Sequence, residues 1–126
     1  MNYHAESELL DIVEDILQLD DAMRFTAIID LEGNILEAIM KEKKTSLESQ
    51  KMQEKFSNDA ATARTMREVY DSSLGRVRYT HTEWENVTQI TVYPKECPIF
   101  VTMEPELSIK RKLEIVTKIK KMTSHL

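Results

Sequence analysis

The sequence predicts an α+β fold with the element order α-β-β-α-β-β-β-α over a single domain, residues 1–126. Three observations carry this. Apolar residues recur at i, i+3, i+4, i+7 near both ends of the chain, as in helices with one buried face. Phe25–Met40 and Arg76–Met103 instead alternate with a period of two, as strands do. Between them, Thr45–Tyr70 returns to helical spacing. Five strands joined mainly by hairpins make a five-stranded antiparallel sheet. The N- and C-terminal helices are expected on one face and the middle helix on the other.

The first helix is expected over about residues 5–19, with Leu9, Ile12, Val13, Ile16, Leu17 and Leu19 on its apolar stripe. Acidic residues in its first turn suit the positive end of the helix dipole. Phe25–Met40 then reads as a hairpin. Asp30 supplies a short side chain that accepts backbone N–H groups, and Gly33 allows a positive φ. A type I turn followed by a bulge fits this spacing. Both faces of the pair carry apolar residues, which places it at the centre of the sheet.

Thr45-Ser-Leu-Glu48 has the form of a capping box. The helix it opens should run to about Tyr70. Its stripe is thin: Met52, Phe56, Ala60, Ala63, Met66, Val69 and Tyr70. Ser57-Asn-Asp59 marks a point where it could divide. Gly75 suits a left-handed C-cap. The next strands are Arg76–Trp84, Val87–Tyr93 and Ile99–Met103, the last almost wholly apolar and therefore central. Pro105 and Ser108 are start signals for a last helix with Ile109, Leu113, Val116, Ile119 and Met122 on its stripe, widened by Ile115.

Charge is distributed unevenly. Residues 1–22 carry seven acids and no Lys or Arg, while residues 105–126 carry six bases against two acids. The two terminal helices are complementary and should lie side by side. The basic helix alone could meet nucleic acid or acidic lipid, but the net charge of −5 argues against both. No apolar run approaches the roughly 20 residues of a membrane span. Met1–Glu6 lacks the basic and apolar regions of a signal peptide, and Cys97 is the single cysteine. Cytoplasmic residence is the expectation.

Few residues carry chemistry. His4, His81, His125 and Cys97 show no metal-ligand spacing, and no histidine lies near Cys97 to activate it. Turn chemistry accounts for Asp30. No phosphate-binding glycine motif is present. No catalytic residue, cofactor or metal is expected. Arg76, Arg78 and Trp84 should share one face of their strand, with Tyr79 and His81 on the other. That cluster could serve a protein interface, the rim of a small pocket, or an ordinary sheet face under a helix.

The element order, with an Ile-Ile-Asp-x-x-Gly-x-Ile hairpin after an amphipathic first helix, resembles the roadblock/LC7 superfamily, and among its members archaeal relatives in particular. The resemblance runs from about Leu9 to Met122. It implies a profilin-like and longin-like α/β/α layout. It further implies a homodimer formed by the middle helix and the strand after it, acting as a scaffold or regulator of small GTPases in signalling rather than as an enzyme. The dimer contacts expected here are Met52, Phe56, Ala60, Ala63 and Met66, with Tyr79 and His81. The alternative is a small-ligand sensor domain of the PAS or profilin-like kind, with an apolar cavity lined by Phe25, Tyr79, Tyr93 and Phe100.

Overall fold

The computed structural model describes residues 6–42, 44 and 50–126. Its elements are α1 (Glu6–Leu17), β1 (Met23–Ile29), β2 (Ile35–Met40), α2 (Gln50–Arg67), a 3-10 turn (Glu68–Tyr70), α3 (Asp71–Leu74), β3 (Tyr79–Glu83), β4 (Thr88–Val92), β5 (Ile99–Met103) and α4 (Ile109–Thr123). The sheet is antiparallel throughout, with strand order β2-β1-β5-β4-β3. The apolar Ile99–Met103 strand is central, as its composition demands. The first hairpin is not: β2 is an edge strand, and Ile35 and Leu36 are exposed. Apolar residues on both faces of β2 reflect partial cover at an edge rather than burial between layers.

The turn between β1 and β2 forms as its residues dictate. Asp30 Oδ1 accepts the backbone N–H groups of Glu32 and Asn34 at 2.9 and 2.8 Å. Gly33 has φ +89°, and a Cβ there would lie 2.7 Å from the Asn58 Cα of α2. The register shifts at Ile28/Ile29, which is the bulge expected beside such a turn.

α1 and α4 cover one face. Leu9, Val13, Ile16, Ile28, Ile90, Ile99, Val101, Met103, Ile115 and Ile119 form the main core beneath them. The complementary ends do meet: Arg111 Nε donates to Asp20 Oδ2 at 2.9 Å, and His125 pairs with Glu8 at 2.9 Å. Ser108 caps α4 by accepting the Arg111 N–H at 3.1 Å. The buried seam of α4 is rotated from the expected stripe. It runs through Lys112, Ile115, Val116, Ile119 and Thr123, while Ile109 is 68% and Leu113 41% exposed.

α2 covers the other face, over the smaller cluster Phe25, Ala27 and Phe100. The helix passes through Ser57–Asp59 unbroken. Ser57 Oγ donates to the Gln53 carbonyl at 3.2 Å and Asn58 Nδ2 to that of Glu54 at 3.0 Å, so both side chains bond back along the helix instead of interrupting it. The capping box at Thr45–Glu48 lies outside the described residues. Gly75 has the expected positive φ of +79°, but its ψ of 172° is extended, so the chain leaves α3 directly toward β3.

Candidate interaction surface and the cavity beneath it

α2 buries only its inner side. Ser57 and Ala61 are buried and Phe56 is half-buried, its ring 6.4 Å from Phe100 and 6.3 Å from Trp84. The C-terminal half is apolar outward. Met66, Val69, Tyr70 and Leu74 are 70, 73, 57 and 79% exposed, at positions i, i+3, i+4 and i+8 of a nearly continuous helical rod. A stripe of this kind facing water is unusual on a monomer.

β3 is an edge strand. Pairing of Tyr79 with Val92 and of His81 with Ile90 puts Tyr79, His81 and Glu83 on the α1/α4 face. Trp84 meets Phe56 on the α2 face. The division of this strand into two faces is the one its alternation gives. Glu83 ties β3 down. Its Oε1 accepts Lys112 Nζ at 2.6 Å and faces His81 Nε2 at 2.7 Å, and its Oε2 accepts the Thr88 hydroxyl at 2.7 Å. Partial burial pushes this carboxyl up, but the hydrogen bonds from Lys112, His81 and Thr88 outweigh it and hold the pKa at about 2. The Lys112 side chain is 4% exposed and also donates to the Pro105 carbonyl at 3.0 Å.

Between α2 and the sheet lies a cavity of about 510 Å³, open on one side. Phe25, Phe56, Trp84 and Phe100 form its aromatic walls, and Gln53, Gln89 and Thr102 bring polar groups to it. Being open to solvent, it is accessible to water or to a small molecule.

Of the residues expected at a dimer contact, Met52 and Met66 are 42 and 70% exposed. Ala60 and Ala63 are half-buried, and Phe56 turns inward. Tyr79 and His81 lie on the sheet face opposite α2, so the seven residues do not form one continuous patch on this chain. Of the residues expected around a ligand cavity, Phe25 and Phe100 line it. Tyr93 lies farther along α2, under the Arg64 guanidinium at 5.8 Å and near the Ala60 carbonyl. Tyr79 faces away from it, because its register partner Val92 belongs to the main core. Cys97 is buried, and burial, with Glu96 and Asp30 adding to it, raises its thiol above the usual range, away from nucleophilic use. Sequence reasoning missed the Glu83–Lys112 pair. A lysine on the seam of a helix is its only trace, and nothing in the sequence says which acid it meets.

The fold is like that of MglB and of roadblock/LC7 domains. The chain superposes on the gliding protein MglB of Thermus thermophilus with a TM-score of 0.78, at 11% identity, covering 99% of this chain and 93% of that one. An MglB described with a tetrameric arrangement gives 0.79 at 10% identity, covering 99 and 92%. The roadblock/LC7 domain of Streptomyces avermitilis gives 0.57 at 9% identity, covering 89 and 94%. No curated protein matches the chain in sequence. In sequence it belongs to the family of unknown function DUF6659, which it matches over residues 8–125. Among the described residues, no helix is long and apolar enough to cross a membrane.

Proposed function

We propose that this chain is a non-enzymatic interaction module that works as a homodimer, and that the dimer is a scaffold or regulator for a protein partner, a small GTPase being the partner the roadblock/LC7 resemblance implies. The observation that carries the reading is the exposed stripe Met66, Val69, Tyr70 and Leu74. Met52, Ala60, Ala63 and Met66 form the contact from α2, while Tyr79 and His81, on the opposite face of the sheet, stand apart from it. Phe56 supports it from beneath. The small Ala60 and Ala63 let a second helix come close. An antiparallel pairing of two α2 helices about an axis midway between these alanines sets Lys55 opposite Glu68 of the second copy, a favourable charge match. The tetrameric arrangement described for one MglB is consistent with a fold that self-associates. An interface burying about 1,600 Å² in total would suffice.

Sedimentation velocity at micromolar concentration tests this. The expected mass is twice the 14.7 kDa of the chain. Met66→Glu, at a position 70% exposed, should return a folded monomer. A wild-type monomer at high micromolar concentration would remove the reading.

A further inference from the structure

We infer that the cavity between α2 and the sheet binds a planar aromatic or heteroaromatic small molecule that carries no negative charge. This is independent of the homodimer reading, which uses the outer face of α2 rather than the space beneath it. At about 510 Å³ the cavity lies in the range that holds a drug-sized ligand. Its walls fix the shape of the guest. Phe100 rises from the central strand, with Phe25 edge-on to it at 6.1 Å and 70°. Phe56 stands over it from α2, at 35° to Phe100 and 82° to Trp84. Such a set of rings offers both faces and edges to a flat guest, the two arrangements aromatic pairs prefer.

The charge of the guest follows from the salt bridges. Arg24 reaches the cavity, but its Nη1 is held by Glu104 Oε1 at 2.8 Å, and the same oxygen takes Lys44 Nζ at 2.8 Å. The cation is already matched and the other charged group on the lining is the carboxylate Glu85, so a negative charge on the guest would lack a partner. Gln89 and Thr102 offer hydrogen bonds from the sheet. Gln89 Oε1 accepts the Trp84 indole N–H at 2.8 Å, which leaves the amide nitrogen of Gln89 as a donor into the site. The Thr102 hydroxyl lines the same cavity and has no hydrogen bond among the described residues. A guest with one acceptor on its ring edge meets the first, and a hydroxyl or ring N–H meets the second.

Trp84 is the only tryptophan of the chain, so its indole N–H gives a single resonance at the cavity. The test is a nitrogen-15 correlation spectrum of the full chain titrated with 2-naphthol, and separately with decahydro-2-naphthol, its saturated and non-planar analogue. 2-Naphthol should move the Trp84 resonance and saturate below about 1 mM, and the saturated analogue should bind about tenfold more weakly. Thr102→Phe, which fills the cavity from β5, should abolish the shift and leave the rest of the spectrum in place. Gln89→Leu, which removes the donor and keeps the volume, should weaken 2-naphthol several-fold and serves if Thr102→Phe does not fold. No movement of the Trp84 resonance overturns the proposal, as do equal affinities for the two compounds or undiminished binding by the variants. A resonance that moves on dilution of the protein alone and ignores 2-naphthol also overturns it, because the occupant is then a second copy.

Discussion

The two faces of the sheet are packed by different means. Under α1 and α4, seventeen buried residues form one cluster, and Val13, Ile16, Ile28, Ile90, Ile99 and Ile115 lose all contact with water. Under α2 the cluster is Phe25, Ala27 and Phe100, with half-buried Ala38 and Met40 at its edge and a solvent-open cavity beside it. The first face holds the fold together. The second is under-filled, and the helix above it shows apolar residues to water. A domain of this size that stabilises itself from one side of its sheet is free to use the other for binding.

Neighbouring residues on β5 offer the sharpest way to break this comparison, because they face opposite sides. Ile99 is fully buried, and Ile99→Ala should cost about 3–4 kcal/mol in urea denaturation. Phe100 is 8% exposed and borders the cavity, so Phe100→Ala should cost about 2 kcal/mol, less than removal of a ring from a closed core. The reverse order would mean that the α2 face carries the stability.

A second contrast lies between the two glycines. Gly33 combines φ +89° with a Cβ position 2.7 Å from Asn58, so Gly33→Ala strains the turn and presses it against α2. About 2–3 kcal/mol is the expected loss. Gly75 has φ +79° and open space around it, and Gly75→Ala should cost about 1 kcal/mol. Equal thermal shifts for the two would show that the Gly33–Asn58 contact relaxes freely.

What was legible in the sequence divides along the same line. The helices α1 and α4, the Asp30–Gly33 turn and the central apolar strand each follow from a local rule, and each stands where that rule put it. The sheet position of β2 did not follow, since apolar residues on both sides of a strand look the same at a centre and at a half-covered edge. The seam of α4 turned because Lys112 goes inside: its stem packs as an apolar residue would while its ammonium reaches Glu83 and the Pro105 carbonyl. Pairing between residues 29 positions apart leaves no periodic trace. The cavity is a property of how α2 sits over the sheet; Phe25 and Phe100 were in view as its walls and Trp84 as part of a possible pocket rim, while Phe56 was not.

The Glu83–Lys112 pair separates anchoring from mere proximity. Glu83→Gln leaves a buried ammonium without its carboxylate, and since the Glu83 side chain is 45% exposed, water screens part of the loss. About 2 kcal/mol is expected. Lys112→Met removes charge and desolvation together and should be nearly neutral. The pH dependence has a definite sign. The folded pKa of about 2 lies below the ordinary 4.5, so this stabilisation is complete above about pH 4.5 and fades as pH falls toward 2. Acid titration of wild type and Glu83→Gln should therefore converge at low pH. Parallel curves would place the acid sensitivity elsewhere, with Asp20 and Glu104 the next candidates: Asp20 is held low by the Ala22 N–H and then Arg111, and Glu104 by Lys44 and then, against its own burial, by Arg24.

The last expected effect runs the other way and tests how dry the α1/α4 face is. Thr26 is fully buried on β1, and its hydroxyl has no hydrogen-bond partner among the described residues. Its register partners Ile39 and Val101 both belong with the main core, which puts the unpaired oxygen among apolar groups. An unmatched hydroxyl in that setting costs about 1 kcal/mol or more. Thr26→Val keeps the β-branched shape and exchanges the oxygen for a methyl, so it should raise stability by about 1 kcal/mol, read as a higher urea midpoint at constant slope. A loss of stability would mean that water reaches Thr26 through the layer of α1 and α4. The face taken here as the closed half of the molecule would then be open as well.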